Sequence, residues 1–376
     1  MQFSIVLDTG FGDAGKGLTI DFLASRSNEK VLVCRFSGGH QVGHTVALDK
    51  RRHTFSNFGA GTFRGIPTYY SEYTTIFPPA TMVEYEHLRT FQPQLFVHPL
   101  CMVTTMYDVA YNRASERLQK HGSCGVGFGA TVERNACGVT LYAKDLLFPW
   151  MFEQRLQGVK HYYEQKTGNT SQPGLVDLYK NELEDYDEEK YIEFCQQSLR
   201  FTRVIPFGQL YNSYQHIIFE GSQGILLDQA HGIHPHTTWS GTTSQNALSI
   251  IQSVNVDIKD IEIYYVSRCY QTRHGNGPMS NNEKLSLINT EGETNIENDF
   301  QGAFRVSKLD PGLIRYSIMT DQVYHGEQSI RKNLVITCLD QLPGFDIDEL
   351  LNQLPFDFCA VWTSYGPSAT DVSKFR

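Results

Sequence analysis

An apolar run, Phe3-Ser4-Ile5-Val6-Leu7, leads straight into Gly10-Phe11-Gly12-Asp13-Ala14-Gly15-Lys16-Gly17. That order calls for a buried strand turning through a glycine-rich loop into a helix. Main-chain amides at such a helix N-terminus bind phosphate. Gly10, Gly15 and Lys16 satisfy the G-x-x-x-x-G-K part of the P-loop pattern. The next position departs from it, because Gly17 stands where a Ser or Thr hydroxyl would hold Mg²⁺. A carboxylate, Asp13, lies inside the loop instead and is the candidate metal ligand, base, or both. Lys16 is the candidate for neutralising β- and γ-phosphates.

The rest of the chain repeats this grammar. Leu18–Ser25 reads as the helix after the loop, and Lys30–Arg35 as a second apolar strand. A second Gly-rich turn follows, Ser37-Gly38-Gly39-His40-Gln41-Val42-Gly43-His44-Thr45, and a third lies at Gly122–Gly129. Ile217-Ile218-Phe219 is a strand entering Glu220-Gly221-Ser222-Gln223-Gly224, and Ile261–Val266 and Asn333–Thr337 are later strands. Strands alternating with Gly turns and helices predict an α/β fold. It should be P-loop-NTPase-like, with a mostly parallel central sheet flanked by helices and ligands at the strand C-terminal ends. Residues 151–200 are charged and helical and read as a solvated helical insertion. Gly275–Glu293 is polar and Asn/Gly-rich, a long loop. With no repeat and no low-complexity linker, residues 1–376 read as one domain with helical and loop insertions.

Composition removes several classes of function. Forty-one acidic against 32 basic residues give a net charge of −9, unlike the basic face of a nucleic-acid binder. Eight cysteines without a C-x-x-C pair, and no signal-peptide pattern at the N-terminus, point to reduced thiols in a cytoplasmic protein. No apolar run approaches the ~18 residues of a membrane span.

Candidate chemistry lies in the turns. An imidazole at His44 can stabilise or protonate a leaving oxygen near neutral pH. His40 and His44 are spaced as a metal pair can be, but only His53 is near enough in sequence to add a ligand, too few for zinc. Gln223 can hydrogen-bond a heterocycle edge as donor and acceptor together. Arg268, Arg273, Arg305 and Arg315 can each grip a carboxylate or phosphate bidentately, or make a surface ion pair. Asp340, just past a late strand, can read the two N–H donors of guanine, or simply start a turn.

Taken in order, these segments resemble the adenylosuccinate synthetase family nearly end to end. The resemblance rests on Gly12–Gly17, Gly38–Thr45, Phe219–Asp228 with His231-Gly232 and Pro235, Thr272-Arg273 with Gly275–Pro278, Thr337 with Leu339-Asp340, and Ser364-Tyr365-Gly366-Pro367. It implies a ligase that joins L-aspartate to C6 of a 6-oxopurine nucleotide. In the first implied step Asp13 takes the N1 proton and O6 attacks the γ-phosphate of GTP, with His44 and Lys16 stabilising the charge. Aspartate then displaces phosphate. Asp13 and the Gly43 carbonyl would ligate Mg²⁺. Gly12, Gly15, Lys16, Gly17, Gly43, His44, Thr45, Asp340, Ser364 and Gly366 would hold GTP, with ATP as the alternative donor. Gln41, Ser123, Gln223 and Thr238 would contact the purine nucleotide, and Arg273 and Arg305 the substrate anions. The family works as a homodimer, and Arg134 is the candidate for the arginine that reaches the neighbour's nucleotide. No membrane or nucleic-acid partner is implied.

The departures fall on substrate contacts. Ala14 stands where the family has Glu, Gln41 where it has Asn, and Cys338 where it has Lys. Only Arg305 and Lys308 are basic in the Gly302–Asp310 loop, which is Arg-rich in the family. Residues 122–128 replace a Thr-Thr-Gly-Arg-Gly-Ile-Gly-Pro segment. IMP is the expected acceptor. The alternatives are dGMP or GMP, as in a phage branch of the family, or a non-catalytic nucleotide-binding paralogue.

Overall fold

The structure, a computed structural model, describes residues 1–120, 122–254, 261–283, 285–288, 293, 302–326 and 329–376. The opening strand, Gln2–Asp8, runs near the middle of a ten-stranded sheet. On one side of it lie Ile261–Arg268, Arg331–Thr337, Ala360–Ser364 and Val372–Lys374; on the other lie His216–Gly224, Val31–Arg35, Thr68–Tyr70, Leu95–Val97 and Thr202–Val204. Val372–Lys374 pairs antiparallel with its neighbour, and all the other pairs are parallel. Ile5 sits between Phe219 and Ile263. Phe3, Ile5 and Leu7 enter one core layer and Val6 the other. A parallel sheet covered on both faces buries every strand position, which is why its strands read as unbroken apolar runs.

The strands and the loop helix expected from sequence are all present, most of them shifted by no more than two residues at their ends, while the strand expected at Ile217–Phe219 extends to Gly224; the helix runs Lys16–Arg26. The strands not foreseen at Thr68–Tyr70, Leu95–Val97 and Thr202–Val204 have three residues each, too few to show a period. The second Gly turn leads into an antiparallel hairpin, His44–Leu48 with Arg51–Phe55, which lies on the loop helix. Residues 275–283, 285–288 and 293 form no helix or strand, as expected; the rest of the predicted loop lies outside the described residues. Among the described residues no helix is long and apolar enough to cross a membrane.

The stretch 151–200 is helical but not a solvated excursion. Its helices Pro149–Gly168, Leu175–Glu184 and Glu188–Ser198 send Phe152, Leu156, Val159, Tyr163, Tyr179 and Tyr191 into the same core layer as Val6 and Val33. The charge counted in the sequence occupies only the outer faces, with pairs such as Arg117–Glu182 at 2.7 Å and Lys160–Glu188 at 3.1 Å. Leu156→Ala should therefore cost about 2–5 kcal/mol, the range for a truncated core leucine. Urea unfolding checks it: the midpoint falls with little change in slope. A shift no larger than that of a surface substitution would return these helices to solvent.

Candidate functional site

The first strand ends on a carboxylate that the sequence reading passed over. Asp8 Oδ1 accepts the Gly10 amide at 2.8 Å, and Oδ2 accepts the Ala14 amide at 3.0 Å and Lys16 Nζ at 2.9 Å. Both charged groups are buried. Removing one member of such a pair typically costs about 3–5 kcal/mol, because it strands the other charge. Lys16 is thus fixed in place from below. An ammonium has three donors, so the bond to Asp8 leaves capacity for phosphate above.

The loop over this clamp needs unusual backbone angles: φ is 99° at Gly12, 63° at Asp13 and 98° at Gly15. Asp is among the few non-glycine residues that tolerate the left-handed region. Gly17 is explained by packing. A Cβ there would lie 3.0 Å from both His44 Cβ and the Thr45 carbonyl oxygen. The hairpin carrying His44 therefore occupies the space of the missing Ser or Thr.

His44 is held by a second buried carboxylate. Its Nδ1 donates to Glu220 Oε1, and Glu220 Oε2 accepts the Ala60 amide at 3.2 Å. His44 Nε2 has no partner among the described residues, and His44 lines a cavity. Burial pushes the imidazole down from its usual value, against the pull of Glu220. Burial would raise Glu220, but His44, Arg35 and the Ala60 amide outweigh it and keep the carboxyl ionised. His40 is committed elsewhere: it is buried beside Phe77, its Nε2 donates to the Val126 carbonyl at 2.9 Å, and burial lowers its pKa to about 4. His53 pairs with Glu84 at 3.1 Å. The histidines of the second turn thus form no metal pair, and no cluster of three His, Cys, Asp or Glu side chains suited to a metal occurs among the described residues.

Asp13 is a quarter exposed, with Oδ2 at 3.4 Å from His274 Nε2. Its main-chain oxygen accepts Arg268 Nε at 2.5 Å. Burial raises its carboxyl pKa, but the His274 contact and the charges of Arg268 and Lys16 prevail and hold it below the usual range. An ionised carboxylate and the backbone carbonyl of Gly43, both on the cavity wall, are hard oxygen donors of the kind Mg²⁺ takes alongside phosphate oxygens.

All of this opens on a cavity of about 900 Å³ at the C-terminal ends of the central strands. Gly12, Asp13, Gly15, Lys16 and Gly17 line it from the loop, and Gln41, Gly43, His44 and Thr45 from the second turn. Ser123, Gln223, Thr238, Arg273, Asp340 and Gly366 line it as well, whereas the predicted Arg305, Arg134 and Ser364 are not among its lining residues. Both amide atoms of Gln41 and Oε1 of Gln223 are buried with no partner among the described residues, whereas most buried polar atoms are satisfied. Ser364 stands behind the wall, its hydroxyl donating to the Gly366 carbonyl at 2.7 Å.

The model of the family described as adenylosuccinate synthetase matches residues 5–348. The chain belongs to that family. A curated adenylosuccinate synthetase of Buchnera aphidicola subsp. Baizongia pistaciae is 29% identical over 290 residues, covering 73% of this chain and 64% of that one. The Borrelia duttonii enzyme of the same name is 26% identical over 392 residues, covering all of this chain and 85% of its own. The chain spans about 64% of the length of the first curated relatives it matches. Two solved structures share the fold. Fully ligated adenylosuccinate synthetase from Plasmodium falciparum has a TM-score of 0.75 at 18% identity, with full coverage of both chains. Cyanophage S-2L succinoaminodeoxyadenylate synthetase, bound to dGMP and dATP as an energy donor, has a TM-score of 0.64 at 16% identity, covering 99% of this chain and 95% of that one.

Against the family pattern, the arginines divide. Arg273 and Arg305 stand opposite one another in the hairpin Tyr270–His274/Phe304–Lys308. Arg273 lies over the Phe11 ring at 4.1 Å and donates to the Pro278 carbonyl at 2.7 Å; Arg305 donates to the Gly277 carbonyl at 2.5 Å. Burial and the Arg305 charge lower Arg273 to about 10. Neither has an ion pair to a carboxylate among the described residues, so the hairpin holds uncompensated positive charge beside the cavity. Arg268 instead pairs with Glu293 at 2.8 Å. Arg134 does not reach outward at all. It is fully buried, its Nε 2.8 Å from Asp108, with further bonds to the Val103 and Val139 carbonyls. The reading of Arg134 as an arm toward a neighbouring subunit is therefore corrected: the side chain is fully buried and held by Asp108 and two carbonyls inside the fold.

Sequence reasoning missed Asp8, Glu220 and His274. Asp8 ends an apolar strand, and Glu220 directly follows the apolar run Ile217-Ile218-Phe219; those positions were the available signal, while His274 ends a polar strand and gave none.

Arg134→Met should cost about 3–5 kcal/mol, and the added change Asp108→Leu should recover part of it, as for a buried pair whose stranded charge is removed. Denaturant unfolding of the single and double variants checks this. His40 and His216 both have pKa values lowered by burial to about 4 from 6.5. Between those values the unfolded chain binds protons that the folded chain refuses, so stability falls as pH drops from 6.5 toward 4. A urea midpoint unchanged across that window would contradict the neutral burial of both rings.

Proposed function

We propose that the protein is a ligase that joins L-aspartate to C6 of a 6-oxopurine nucleoside monophosphate, using GTP and passing through a 6-phosphoryl nucleotide. IMP is the acceptor and adenylosuccinate the product. The observation that carries this reading is the convergence of ionised Asp13, unpartnered His44 Nε2 and clamped Lys16 on one cavity. The name shared by the curated relatives supports the choice of IMP.

The chemistry follows from a simple difficulty. A carbonyl oxygen is a poor leaving group until it is phosphorylated. Asp13, kept ionised by its cationic neighbours, accepts the N1 proton, which builds negative charge on O6. His44 has given Nδ1–H to Glu220, so Nε2 is the atom that meets O6. In its imidazolium form it donates there, and an arriving phosphate favours that form. Lys16 neutralises charge on the phosphoryl group during transfer, a reaction that depends on positioning and electrostatics. Mg²⁺, held by Asp13, the Gly43 carbonyl and phosphate oxygens, would supply further neutralisation. Arg273 and Arg305 receive the carboxylates of aspartate, whose amine attacks C6 and expels phosphate. Asp340 accepts the two N–H donors of guanine and so prefers GTP to ATP. A cytoplasmic homodimer belongs to the same proposal, with light scattering as its test.

Purified protein is incubated with Mg²⁺, GTP, aspartate and either IMP or dGMP, and products are read by absorbance and mass. A succino-adduct from IMP is expected; one from dGMP alone would move the protein to 2-aminopurine nucleotides, and none from either would overturn the ligase reading. Asp13→Asn should abolish turnover. His44→Ala should lower kcat by about 10²–10⁴-fold with little change in KM, the usual contribution of an acid–base group. A pure KM effect would remove His44 from the transition state.

A further inference from the structure

We propose that Trp239 is the stacking platform for the base of the acceptor nucleotide. The inference rests on the ligase reading above. Trp239 is 53% exposed and is among the residues that line the cavity. Its backbone is pinned on both sides. The Thr238 amide donates to the Leu227 carbonyl at 2.8 Å, the Ser240 carbonyl accepts the Gln229 amide at 3.1 Å, and the Ser240 hydroxyl accepts the Gly38 amide at 3.0 Å. The indole rests on Gly129, where a Cβ would come within 2.9 Å of Trp239 Cδ1. An indole on a pinned backbone, packed on Gly129, thus lines the cavity with about half of its surface exposed.

Its place in the fold selects the acceptor over the donor. Asp340 and Gly366 follow the strands Arg331–Thr337 and Ala360–Ser364, on one side of the Gln2–Asp8 strand. Trp239 follows His216–Gly224 and is tied to Gly38 beyond Val31–Arg35, on the other side. Ser123, Gln223 and Thr238 line the cavity with it, and Gln223 Oε1 is unpartnered. A base lying on the indole presents its edge to amides of this kind, while the plane itself tolerates any purine. Removing one base–aromatic stack typically weakens binding by about tenfold.

Binding is measured by calorimetry and intrinsic fluorescence, titrating IMP and dGMP without donor or aspartate. The other two tryptophans give a steady background: Trp150 is exposed in a helix, and Trp362 packs against Phe22. Nucleotide should quench the wild type, and Trp239→Phe should lose the quench while keeping most of the affinity. Trp239→Ala should weaken the acceptor by about tenfold and leave KM for GTP unchanged. Gly129→Ala, which displaces the ring without removing it, should weaken the acceptor in the same direction. Thermal melts confirm that the exposed ring is dispensable for folding. Wild-type binding without quench, and unchanged in Trp239→Ala, would overturn the platform alone. No binding of either nucleotide to the wild type would overturn the ligase reading and the platform with it.

Discussion

The buried contact between Asp8 and Lys16 sets the geometry from which the rest of the site is built. Taking two charges out of water is costly, and their mutual attraction offsets that cost only when the remaining lone pairs are filled. Here they are: Asp8 also accepts the amides of Gly10 and Ala14, so one carboxylate fixes three points of the loop. The loop cannot relax without stranding a charge. Its helix therefore starts at a defined place, with Lys16 at its first position and Gly17 exposing a face flat enough for the His44 hairpin to lie on. The family places a Glu at the position of Ala14; in this chain the carboxylate that organises the loop enters from the strand below.

Glu220 repeats the device one strand away. It lies within the strand His216–Gly224, hydrogen-bonded to the first one, and it fixes an imidazole from the hairpin as Asp8 fixes an ammonium from the helix. Each functional side chain thus has its back to a buried carboxylate and its free atom toward the cavity. Such preorganisation spares the reorganisation that mobile charges would need as the transition state forms. The same two carboxylates explain why the site sits where it does. The C-terminal ends of parallel strands are where side chains from separate segments of chain meet.

The sequence was legible where a rule is local. The loop, its helix and the long strands follow from apolar runs interrupted by glycine, and the cavity-lining Asp13, Lys16 and His44 lie in such turns. Partnerships across the sheet were not legible. Asp8 and Lys16 are close in sequence, but Glu220 meets His44 across 176 positions, and no spacing rule reaches that far. Arg134 shows the reverse failure: the family resemblance offered it as an arm toward a neighbouring subunit, whereas Asp108, from the preceding helix, holds it inward. The charged stretch 151–200 misled for a related reason. A helix needs only a narrow apolar stripe to join a core, and charge counted over the whole stretch hides that stripe.

Compensation is what separates the cations at the site. Lys16 and Arg268 each have a carboxylate within 2.9 Å, whereas Arg273 and Arg305 face each other across a two-stranded ladder with no ion pair to an acid among the described residues. Like charges directly opposite in a ladder are unfavourable, and burial adds to the cost by lowering both guanidinium pKa values. The fold tolerates this because carbonyls at Pro278 and Gly277 take some of the donors. The remaining positive potential sits in a chain of net charge −9, so it is local and confined to the cavity wall. A low-dielectric cleft focuses such a field on small anions while the acidic surface repels large polyanions. The pattern fits a cavity that gathers small anions such as phosphates and carboxylates. Phosphate would meet a lysine whose position is already fixed, and a dicarboxylate would relieve the repulsion between two arginines.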